Sequence, residues 1–139
     1  MRATPNAAAS GTRPRTSLGS AVKTAQAVLV GSAAVLLVMG LVIWTAGAED
    51  LIPLHLLIGI VLVLSLWTIA AIAARSGVSG RLVAMAVGWS IVAVILGTTQ
   101  EALRVGDWHW TVQVLHVVVA MGMVAWGRLL VVRTLEGDR

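Results

Sequence analysis

IPLHLLIGIVLVLSLWTIAAIAA, residues 52–74, is an unbroken apolar run in which His55 is the one ionisable side chain. A helix of roughly 20 apolar residues crosses the hydrocarbon layer of a bilayer. Working outward, three more runs of that kind occur, at about residues 24–46, 82–100 and 110–132. The 139-residue chain is 58% hydrophobic and 12% charged, with a mean hydropathy of +0.93. Such a balance excludes a water-soluble domain of this size. The pattern predicts an all-α integral membrane protein, an up-down-up-down four-helix transmembrane bundle.

The first run is too long for the apolar region of a cleaved signal and has no clear small-x-small cleavage site after it, so it reads as a true first helix. There is no cysteine, which rules out disulfides, iron–sulfur clusters and thiolate-bound metals. The formal charge of +4 does not point to nucleic acid, because the cations are distributed by segment. Arg2, Arg13, Arg15 and Lys23 precede the first run, Arg75 and Arg81 flank the middle turn, and Arg128, Arg133 and Arg139 lie toward the end. Glu49, Asp50, Glu101 and Asp107 occupy the other two loops, where Arg104 is the sole cation. The positive-inside rule therefore predicts cytoplasmic N- and C-termini in a multi-pass protein of the plasma (inner) membrane.

Residues 1–22 lack an apolar period and read as a disordered basic cytoplasmic tail able to touch anionic lipid. The bundle is expected over 23–133, with 134–139 as a short cytoplasmic tail. Gly31, Ser32 and Gly40 give the first helix small surfaces for close packing in lipid. Gly47 suits a helix stop and Pro53 a restart, and SGVSG at 76–80 predicts a tight turn. Trp44, Trp108 and Trp110 fit the outer interface. Two hairpins of equal length, Lys23–Arg75 and Arg81–Arg133, form a faint repeat. Gly31 and Gly40 are nine apart, as are Gly88 and Gly97, and each returning helix carries a Leu-His pair in its outer half.

Those histidines, His55 and His116, are the residues on which a function can be built, since ionisable groups inside a membrane are rare. In a sequential bundle, helices 2 and 4 are parallel and diagonal, so the two imidazoles can direct nitrogens at one iron with a porphyrin edge-on between them. Gly59 and Ala120 lie one turn along from His55 and His116, so both helices keep small side chains beside the rings. The bland reading is that each histidine hydrogen-bonds a neighbouring helix or headgroups.

His109, two turns outward from His116 and flanked by tryptophans, reads as interfacial. A three-histidine zinc or copper site is disfavoured by the absence of tight local spacing. Gln100, Glu101, Arg104 and Gln113 collect near the outer ends of helices 3 and 4, facing water or meeting haem propionates or a quinone headgroup. Arg128 is placed to snorkel. Met39, Met85, Met121 and Met123 read as packing.

The segments LHLLIGIVLVLSLW (54–67) and ILGTTQEALRVGDWHWTVQVLHVVVAMGMVAW (95–126) resemble one half of a haem A synthase, an enzyme of two four-helix halves. The resemblance covers about residues 24–133 and implies haem ligation near the outer face by His55 and His116. What it carries to this chain is haem binding. A homodimer acting as a haem A synthase-like enzyme is the arrangement that would supply the whole enzyme's two sites.

The expected function is that of a small b-type cytochrome, with haem b iron between His55 and His116, more an electron carrier than a stand-alone enzyme. Its surroundings are lipid and a quinone or oxidoreductase partner. The alternatives are a non-catalytic membrane scaffold or subunit packed through its glycine faces, and a small transporter. The transporter ranks last because helices 1 and 3 have no buried charges in their centres.

Overall fold

The computed structural model describes residues 15–99, 102, 106 and 109–137. Among them are four α-helices, α1 (Arg15–Ala46), α2 (Ile52–Arg75), α3 (Gly80–Thr99) and α4 (His109–Gly137), and a 3₁₀ turn at Glu49–Leu51. Each contributes a segment long and apolar enough to cross a membrane, Leu18–Ala46, Glu49–Arg75, Gly80–Thr99 and Trp110–Gly137. Large apolar side chains point outward along these segments, with Val38 63% and Leu57 58% exposed, as lipid-facing helices require. The chain is a four-span, multi-pass membrane protein.

Two helices overrun the limits expected from hydropathy. α1 begins at Arg15, inside the stretch read as a tail, and α4 continues through Gly137 instead of stopping near 132. The extensions support one another: Val22 is fully enclosed, Leu135 packs beside Gly19, and Thr134 is buried with its hydroxyl donating to the Leu130 carbonyl at 2.8 Å. Neither extension is apolar enough to declare itself alone. Residues 1–14 and 138–139 lie outside the described residues, as do Gln100, Glu101, Arg104, Asp107 and Trp108.

The turns follow the expected glycine chemistry. Gly47, at φ +65°, ends α1 with its N–H on the Ile43 carbonyl at 3.1 Å. Gly77, at φ +82°, ends α2 in a Schellman motif: Val78 N–H reaches the Ala73 carbonyl at 3.0 Å and Gly77 N–H the Ala74 carbonyl at 3.3 Å. An L side chain in that left-handed conformation costs about 1–2 kcal/mol. Gly77→Ala is accordingly expected to lower unfolding stability in detergent by about 1 kcal/mol, whereas Gly80→Ala, where an added Cβ meets open space, should not.

Successive helices are joined by short connections and run antiparallel. α2 touches all three other helices, and so does α4, whereas α1 and α3 make no contact among the described residues. The cross-section is therefore a rhombus with α2 and α4 on its short diagonal. α2 and α4 are diagonal partners, as expected, and are also in direct contact.

Packing is concentrated toward the end that holds the α2–α3 turn. Leu29, Leu66, Ile69, Met123 and Leu130 are almost wholly enclosed there. Gly127 lets α4 approach, since a Cβ at that position would run into Leu29 and lie 3.4 Å from Leu66. Water is not the competing solvent, so close contact and interhelical hydrogen bonds hold the helices. Two indoles supply such bonds. Trp67 Nε1 donates to Ser90 Oγ at 2.9 Å, and that hydroxyl donates to the Val87 carbonyl at 2.6 Å. Trp89 Nε1 donates to the Val119 carbonyl at 2.7 Å, with its ring lying over Gly122.

Candidate haem-ligand site

The opposite end of the bundle is built differently. Along α1 beyond Leu29, α2 before Leu62, α3 beyond Ala93 and α4 before Val119, no described residue is fully buried. This half contains both membrane histidines. His55 falls in the first turn of α2, its height set by the Gly47 stop, the 3₁₀ turn and Pro53 at the helix start. His116 lies seven residues past the start of α4 at His109.

Both histidines are half-buried. Nδ1 of His55 and Nδ1 of His116 are each enclosed and have no hydrogen-bond partner. At Nδ1, neither histidine is hydrogen-bonded to a neighbouring helix. A neutral imidazole offers one donor and one acceptor, and an unpaired ring nitrogen shielded from water is costly unless a ligand engages it.

Each ring rests on a glycine of its own hairpin. A Cβ on Gly40 of α1 would lie 3.4 Å from His55 Cε1, and a Cβ on Gly97 of α3 would lie 2.9 Å from His116 Cε1. The repeat seen in the sequence thus has a structural counterpart, a glycine on the outgoing helix facing the histidine of the returning one. Gly40 and Gly97 were legible as repeat markers but not as site residues; their nine-residue spacing from Gly31 and Gly88 was the available signal. Gly31 and Gly88 themselves face open space.

Gly59 has open space where a side chain would project, and Ala120 is half-buried. Gln113, three residues before His116, is half-buried with Oε1 enclosed and unpartnered, which separates it from a simply solvated loop residue. Gln100, Glu101 and Arg104, grouped with it in the sequence, lie outside the described residues, as does the His109 side chain. Met123 packs in the core, and Arg128 is exposed. No cluster of three or more His, Cys, Asp or Glu exists among the described residues.

The donor set suits haem better than a free metal ion. Zinc asks for three or four protein ligands, whereas a macrocycle supplies four nitrogens itself and needs two axial imidazoles. No family model, curated protein or solved structure matches the chain.

Proposed function

We propose that this protein is a small b-type cytochrome of the plasma membrane, with His55 and His116 as the two axial ligands of one haem b. The observation that carries the reading is that each of the two membrane histidines has an enclosed ring nitrogen without a partner, in the half of the bundle that lacks a tight core. Two imidazoles fit the group in chemistry. When bound, haem supplies a one-electron ferric/ferrous couple. Two protein ligands leave no position for substrate chemistry, which favours electron transfer over stand-alone catalysis.

His55 and His116 would hold the cofactor from opposite corners of the rhombus, with Gly59 and Ala120 keeping the space beside the rings small-sided. Gln113, one turn outward on α4, would turn a polar amide toward the cofactor's outer edge or a quinone headgroup. The distribution of Arg and Lys supports an orientation with both termini in the cytoplasm and the histidines toward the outer face.

The test is optical. Protein purified in detergent from cells supplied with a haem precursor should show a Soret band, and dithionite should sharpen its α-band. A colourless protein after loading with haem would sink the cytochrome reading and leave a scaffold or subunit packed through its glycine faces.

A further inference from the structure

The two histidines are seated unequally. At the α3–α4 contact, a Cβ on Gly97 would lie 2.9 Å from Cε1 of His116, 3.5 Å from Nδ1 and 3.7 Å from Nε2, so a whole ring edge bears on this residue. At the α1–α2 contact, a Cβ on Gly40 would lie 3.4 Å from Cε1 of His55 and meet nothing else within 4 Å. The first is closer than side-chain atoms pack, and the second needs only a small adjustment.

An imidazole is a rigid plane. His116 can yield to an added methyl group only by leaving its rotamer or by α4 moving away from α3. The second route is opposed from beneath. Trp89 on α3 donates to the Val119 carbonyl at 2.7 Å, three residues along α4 from His116, with its indole seated over Gly122. Ala93, one turn from Gly97 on α3, is buried and leaves little slack. The ring must therefore turn.

We propose that Gly97 is a positioning residue, the seat that fixes the orientation of the His116 imidazole, and that Gly40 is a looser seat for His55. The site tolerates added bulk on its α1 side and not on its α3 side. Ring orientation follows from the helix contacts alone, while the consequence for cofactor binding rests on the cytochrome reading.

The full-length protein in detergent tests both parts. Without haem, wild-type protein with labelled histidine and glycine should give a nuclear Overhauser contact between His116 Hε1 and the Gly97 α-protons. Gly97→Ala should move the His116 ring resonances, whereas Gly40→Ala should leave those of His55 nearly in place. Gly88→Ala, on the same helix but facing open space, is the control. On titration with haem, Gly97→Ala should bind about tenfold more weakly, the cost of one displaced rotamer, and Gly40→Ala should bind like wild type. A wild-type protein that binds no haem overturns the cytochrome reading, and the Overhauser contact still decides the seat. An absent contact in wild type overturns the seat even if Gly97→Ala does not fold. Unshifted His116 resonances with unchanged haem affinity in Gly97→Ala also overturn it.

Discussion

His116→Ala is expected to strip the purified protein of its visible spectrum. His116 is two turns into α4, half-buried, with Nδ1 enclosed and unpartnered. On the proposed reading, removing the ring takes away one of the two side chains that would hold the haem. Losing even a group that only supports a metal ligand costs 10–100-fold in affinity, so losing the ligand should weaken haem binding by roughly 100-fold or more. Pigment recovered per mole of protein is the measurement, with His55→Ala expected to behave alike and His109→Ala to keep its colour. The variant should still fold, because no fully buried residue surrounds His116 in its half of the bundle. Pigment at the wild-type level in His116→Ala would exclude this residue as a ligand.

Gly122→Ala should be the most damaging change of a single methyl group in the packed half. A Cβ there would run into the Trp89 indole, meeting Nε1, Cε2 and Cζ2. The indole cannot bend away as a leucine tip does, and moving it breaks the Nε1 bond to the Val119 carbonyl. Overpacking costs about 1–3 kcal/mol and a lost hydrogen bond about 1 kcal/mol more. A total near 2–4 kcal/mol is expected. Unfolding in mixed micelles followed by tryptophan fluorescence would read it, and a variant within about 0.5 kcal/mol of wild type would show that Trp89 is not held there. Gly127→Ala should cost less, since its first obstacle is the movable end of Leu29.

The span of each helix was legible because hydropathy is a local property. Runs of 20 or more apolar residues need lipid whatever they pack against, and Gly47 and Gly77 mark turns by their own backbone freedom. The helix ends beyond the apolar runs were not legible. Arg15–Val22 holds a helix in which Val22 is fully buried and Gly19 lies against Leu135 of α4, a contact between residues more than a hundred positions apart. The candidate site divides in the same way. His55 and His116 stood out as lone ionisable groups in apolar helices, and Gly59 and Ala120 followed from helical period. Gly40 and Gly97 could be read only as small residues, since which side chain a glycine admits depends on the helix packed opposite.

Composition and periodicity alone determined four membrane-spanning helices, their order, and the placing of a histidine in each returning helix, because these depend on chain length, solvent preference and rise per residue. Only the tertiary structure decided that α2 and α4 touch along the short diagonal, that close packing gathers at the end of the α2–α3 turn, and that each imidazole rests on a glycine of its own hairpin. The reason is physical: in lipid every apolar face is equally content with solvent, so the choice of which faces meet falls to shape, to the positions of small residues and to a few interhelical hydrogen bonds.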